Sequence, residues 1–180
     1  MITAELISER FTNNIKFDAF TEITRMEAVL SMWRMMNRPG KYITFANNNI
    51  YNNSSLHGNI DTGFKDVSNR ALAAQAVLWA KQIGVTTGKT PNTFNPYDKI
   101  TKGQFIVMLY RLAGKPNSEG NTEMDQAISW AKANKIIITD APTNENLPRV
   151  RAIIMLYRYY QKYVNNTDYK KFKTYQDYVG

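Results

Sequence analysis

Residues 94–102 read Phe94-Asn95-Pro96-Tyr97-Asp98-Lys99-Ile100-Thr101-Lys102 and run on through Met108-Leu109-Tyr110-Arg111 to Lys115-Pro116. The same pattern stands upstream as Phe17-Asp18-Ala19-Phe20-Thr21-Glu22-Ile23-Thr24-Arg25, then Leu30-Ser31-Met32-Trp33-Arg34 and Arg38-Pro39, at a constant offset and without a gap. A third copy follows as Leu147-Pro148-Arg149 and Met155-Leu156-Tyr157-Arg158. A different block also recurs: Ala76-Val77-Leu78-Trp79-Ala80-Lys81 returns as Ala127-Ile128-Ser129-Trp130-Ala131-Lys132. The unit therefore has two parts, a Trp-Ala-Lys part and an Ile-Thr-Arg part. Units of this size cannot bury their own apolar faces and must share a core.

Each part reads as a helix. Ala73, Ala76, Val77 and Ala80 fall at helical spacing, with Ser68 or Asn69 as cap and Gly84 as stop. In the later copy Thr122 caps the start, Met124, Ala127, Ile128 and Ala131 share a face, and Asn134 lies near the end. Thr24 with Glu27, and Thr101 with Gln104, have the spacing of a capping box. Their apolar faces run Val29, Leu30, Trp33 and Phe105, Met108, Leu109, Leu112. In the third copy Pro148 suits a first helical turn, and Ile153, Ile154, Leu156, Tyr157 and Tyr160 supply the apolar surface. The Met26, Met32, Met35 and Met36 cluster reads as packing.

With 180 residues the chain fits one domain or a few small units sharing a core. An apolar fraction of 43% is enough to bury one. Zero Cys excludes disulfides, thiolate metal sites and Cys nucleophiles, and the single His, His57, excludes a His-rich metal site. No metal, cofactor or catalytic residue is expected. Glu22, Glu27 and Asp66 have only capping and turn roles to suggest. A net charge of +8 favours anionic partners. Gly84-Val85-Thr86-Thr87-Gly88-Lys89-Thr90 imitates a P-loop but has one residue too few between its glycines and follows a helix pattern in place of a strand. No apolar run is long enough to span a bilayer, and Met1 to Phe11 lacks a signal-peptide core.

Phe64-Lys65-Asp66-Val67, Trp79-Ala80, Ile83-Gly84-Val85-Thr86-Thr87-Gly88, Phe94-Asn95-Pro96, Ile100-Thr101-Lys102 and Met108-Leu109-Tyr110-Arg111 together resemble an S-layer homology (SLH) repeat. The copy at 64–116 matches over its whole length. The first, about 1–39, keeps only its second half, and the third, about 123–164, replaces the Gly-x-x-x-Gly loop with Lys135-Ile136-Ile137-Ile138-Thr139-Asp140. An Asn-rich insert fills 40–63, where Lys41 to Phe45 suggests a short strand, and a tail fills 165–180.

The resemblance implies a mostly α, pseudo-threefold domain over 1–180, with a central three-helix bundle (near 24–37, 101–113 and 148–164) and helical lobes. It also implies a non-catalytic module at the bacterial cell surface that anchors by binding an anionic, often pyruvylated, secondary cell-wall polysaccharide. The family's Arg positions fall here on Arg25, Lys102 and Arg149. Each cation would act beside free N–H groups at a helix start, and Lys102, a point charge, would make the weaker groove. Thr86, Thr87 and Gly88 would add donors. Trp79 and Trp130 would stack on sugars, although their small neighbours favour core packing.

Two other readings remain at this level. Drifted repeats fit a structural or protein–protein module, such as a virion or surface-assembly component, which predicts an exposed apolar patch. The run from Arg149 to Lys173 interleaves cations with tyrosines, as nucleic-acid binders do, but also as a half-buried basic helix does, and the latter is the simpler account.

Overall fold

A computed structural model describes residues 18–37, 60–69, 72–140 and 142–165. The possible strand at 41–45, His57, most of the insert, and the tail from 166 on lie outside these residues. Among those described are five α-helices: α1 (Arg25–Met35), α2 (Leu72–Gln82), α3 (Lys102–Leu112), α4 (Glu123–Ala133) and α5 (Arg149–Tyr159), the last continued by a π-helical turn, Tyr160–Val164. Among the described residues β-pairing occurs only as isolated bridges.

Local chemistry starts three of the helices. Thr24 and Thr101 accept from the N–H of Glu27 and Gln104, whose side chains accept in return from the cap N–H. Thr122 and Asp125 close a third capping box on α4. Pro148 differs from its expected place. It is the N-cap of α5 and offers no side-chain acceptor. The apolar surface of α5 also differs from expectation: Ala152, Met155, Leu156 and Tyr159 are buried, whereas Ile154 and Tyr157 are exposed. The face is set by what α5 packs against: it keeps Leu156 and part of Ile153 but leaves Ile154 and Tyr157 outside.

Helix α2 packs along α1, and α4 packs along α3, so each Trp helix lies on the helix that precedes it in sequence. Helix α5 meets α1. The starts of α1, α3 and α5 are tied by backbone. The Ile23 N–H donates to Leu147 O (3.0 Å), the Leu147 N–H to Ile100 O (2.9 Å), and the Ile100 N–H to Ile23 O (3.1 Å), which closes a ring. All three side chains are buried. Bonds among buried peptide groups are expensive to leave unmade, so the ring fixes the register of three distant segments together.

A second set of bonds flanks the ring. The N–H of Arg25 donates to Asp98 O (2.9 Å), that of Lys102 to Glu145 O (2.9 Å), and that of Arg149 to Thr21 O (2.8 Å). The next N–H in each helix follows suit: Met26 to Pro96 O, Gly103 to Thr143 O, Val150 to Ala19 O. The turn before each of α1, α3 and α5 thus caps another of these three helices.

Trp130 unites α4 with α3 and α5. Its ring lies 5.6 Å from Tyr110, 6.4 Å from Tyr159 and 5.8 Å from Tyr163, centroid to centroid. Its Nε1–H donates to the Tyr163 hydroxyl (3.0 Å), which donates to Asn134 Oδ1 (2.9 Å). The Arg149–Lys173 run is, over its described part, a helix that buries Tyr159 and half-buries Tyr160 and Tyr163.

Candidate functional site

The backbone bonds at the helix starts alter the expected anion chemistry. A helix N-terminus attracts anions because its first N–H groups lack partners. Here the first two N–H groups of α1, α3 and α5 already donate to carbonyls of a neighbouring turn, and Thr24 and Thr101 take the third in α1 and α3. At the starts of α1 and α3 a ligand must therefore be held by side chains.

The three cations at the first helical positions sit in three different surroundings. Arg25 is 7% exposed. Its Nε donates to Phe94 O (2.8 Å), and its guanidinium carbon lies 5.1 Å from the Phe94 ring centre. Burial lowers its pKa, and the charges of Asp98 and Asp66 oppose that shift. Asp66 also accepts from the N–H groups of Phe94 and Asn95, so this corner is stitched to α1 through protein contacts. Arg149 pairs with Glu27 (3.2 Å) and donates to Asp18 O (3.4 Å), while its Nε is buried without a partner among the described residues.

Lys102 differs from both. It is 6% exposed, with Nζ 3.5 Å from Thr139 O among its contacts. It lines a cleft of about 220 Å³ together with Ile136–Thr139, Arg151, Ile154, Met155 and Arg158. The walls are isoleucines, and the cations are Lys102, Arg151 and Arg158. Desolvation and the positive charges of Arg151 and Lys132 lower the Lys102 pKa, opposed by Asp140 and Glu145. Asp140, one of these two acids, is itself held by Lys132. The cleft combines an apolar wall with excess positive charge, which suits an anion that carries some hydrocarbon.

The loop residues divide. Thr86 is buried, and its hydroxyl accepts from the Gly88 N–H (3.1 Å), so it shapes the turn. Thr87 is exposed. Gly88 has φ +84°, and a Cβ there would meet Phe64 Cε1 at 2.5 Å and the Thr90 and Thr93 carbonyls within 2.7 Å. Phe64 in turn lies 5.8 Å from Phe94, so the Gly88 turn and Arg25 flank one aromatic pair. Trp79 and Trp130 are both buried, so stacking on sugar, one of the two expectations for them, gives way to packing.

Ile138 and Ile154 are not among the ligand groups that the sequence suggests, and Arg151 and Arg158 figure there only in the nucleic-acid reading of the run from Arg149 to Lys173. Arg151, Ile154 and Arg158 stand at helical spacing on α5, which is a usable signal. Ile138 comes from the loop that has lost its glycines, and nothing local marks it.

Residues 63–106, from the turn before Phe64 through the first half of α3, match the family model of the S-layer homology domain. That stretch is similar to an S-layer homology domain over its matched length. No curated protein and no solved structure matches the chain. S-layer homology domains are non-catalytic modules that generally anchor proteins to the cell wall by binding its secondary polymers, and they mark cell-surface association. Among the described residues no helix is long and apolar enough to cross a membrane.

Proposed function

We propose that this chain is a wall-anchoring module whose working groove is the cleft at Lys102, and that its ligand is an anionic secondary cell-wall polysaccharide of the pyruvylated type. The observation that carries this is the juxtaposition of Lys102 and Arg151 in one isoleucine-walled cleft. A carboxylate would pair with the cations and accept their N–H bonds, while the methyl of a pyruvyl ketal would rest on Ile138 and Ile154. Arg25 and Arg149 contribute mainly by holding the turns, since each is engaged by protein groups. Lys102, expected from its chemistry to make the weaker groove, is in this reading the principal one. The ring through Ile23, Ile100 and Leu147 supports the companion reading of the chain as a pseudo-threefold domain around a central three-helix bundle.

The test is co-sedimentation with purified Gram-positive cell walls before and after acid extraction of their secondary polymers. Binding that disappears on extraction, and that Lys102→Ala weakens at least tenfold, is the expected result. Equal binding to intact and extracted walls, or none, overturns it.

One observation favours a second reading, a structural or protein–protein module. Ile138 and Ile154 are 69% and 41% exposed, and Tyr157 stands exposed on the same helix as Ile154. Self-association of the purified protein, abolished by Ile138→Asp, is the outcome that reading requires.

A further inference from the structure

Helices α1, α3 and α4 carry Glu27, Gln104 and Asp125 at their third position, where the side chain closes a capping box. Helix α5 carries Arg151 there, behind a Pro148 that offers no cap. A cation in the first turn opposes the helix dipole and stabilises nothing in its own helix. Arg151 also lines the same cleft as Lys102, where their like charges repel. No ion pair to Arg151 forms among the described residues. Two local penalties at one exposed residue, both facing a cleft, call for a compensating role, because sequences that break local rules tend to do so at functional positions.

The corresponding contacts in the other copies sharpen the point. The first-position cation of α5, Arg149, meets the third-position acid of α1, Glu27. The first-position cation of α3, Lys102, feels the third-position residue of α5, and that residue is Arg151. A position that closes an internal ion pair in one copy sets a second cation beside the first in another. This residue choice therefore places a second cation beside Lys102, in a cleft that Arg158 also lines.

We infer that Arg151 is the second anion-binding side chain of the Lys102 cleft and determines its ligand affinity, at the expense of helix stability. This rests on the polymer-binding reading above. The anion spans the two cations and relieves their repulsion, and Arg151 supplies the forked donor geometry that Lys102 lacks.

The experiment measures two quantities on each of four full-length proteins: wild type, Arg151→Gln, Arg151→Glu, and Lys65→Gln as a charge-matched control at an exposed lysine. One is the affinity for the polymer released from Gram-positive walls by acid. The other is the thermal unfolding midpoint. Arg151→Gln should lose about tenfold in affinity and Arg151→Glu more, with the difference narrowing in high salt, while Lys65→Gln changes little. The unfolding midpoints of both Arg151 variants should rise, by roughly 2–5 °C for Glu. Opposite movement of affinity and stability is the signature, since a structural role would lower both together. Wild-type binding with unchanged affinity in Arg151→Glu overturns the inference alone, as does a fall in both quantities. No polymer binding by wild type overturns the underlying reading and the inference with it.

Discussion

Arg149 Nη2 lies 3.2 Å from Glu27 Oε1, joining the first turn of α5 to the first turn of α1 across most of the chain. Glu27 uses its other oxygen to accept from the Thr24 N–H at 2.7 Å, so one carboxylate serves a helix cap and a tertiary contact. Both side chains are largely shielded from solvent. Replacing Arg149 with Ala should lower unfolding stability by about 1–2 kcal/mol, more than a typical surface pair. Glu27→Ala should be worse than Glu27→Gln, because Gln can still close the capping box as Gln104 does in α3. Urea unfolding of the three variants checks the order.

The α3–α4 packing depends on pH through Glu123. Arg111 donates to both its oxygens (2.9 and 2.6 Å), and Lys115 lies 2.9 Å away. The hydrogen bonds from Arg111, foremost, hold its pKa at about 2, against an ordinary 4.5. The folded value is the lower one. The stabilisation is therefore complete above about pH 4.5 and is lost as pH falls toward 2. Allowing for solvent screening at a third-exposed site, about 1–2 kcal/mol is at stake. Glu123→Gln should be less stable than wild type at pH 7, and the gap should close by about pH 2. Chemical unfolding at a series of pH values measures this, and a gap independent of pH would refute the assignment.

Two glycines of one loop should respond differently to alanine. Gly84 (φ +73°) has nothing within 4 Å of where a Cβ would stand, so Gly84→Ala meets only backbone strain, about 1 kcal/mol. Gly88 combines φ +84° with backbone carbonyls at 2.6 and 2.7 Å. Gly88→Ala should cost clearly more, roughly 2–4 kcal/mol, because carbonyls cannot move aside as a side chain can. Thermal unfolding of the pair gives the comparison.

Trp130 tests the difference between a packed and a sugar-binding indole. Trp130→Ala should destabilise by about 3–5 kcal/mol. Tyr163→Phe removes the hydroxyl that accepts from Nε1, at about 1 kcal/mol. Wall binding at saturating protein should survive Tyr163→Phe unchanged. A selective loss of binding with stability intact would return Trp130 to the ligand site.

Much of this fold was legible in the sequence because it is local. Thr24–Glu27 and Thr101–Gln104 sit three residues apart, and the capping geometry needs nothing else. Gly84 marks a helix end by its backbone preference, with φ +73°, and Asn134 by the side-chain bond it donates to Trp130 O. The site was less legible. Arg25, Lys102 and Arg149 look equivalent when aligned, and their chemistry alone favoured the two arginines.

The sequence alone determined the helices, the capping threonines of α1, α3 and α4, and the family match of residues 63–106, since each follows from residues close together in the chain. Only the tertiary structure decided which cation faces a cleft. That depends on the third residue of a different helix: Glu27 neutralises Arg149, whereas Arg151 gives Lys102 a neighbour of like charge. The tertiary structure also gave the first N–H groups of α1, α3 and α5 to carbonyls of turns far away in sequence. Helix starts that would attract an anion in isolation are satisfied by backbone, and the binding chemistry passes to side chains that no local pattern brings together.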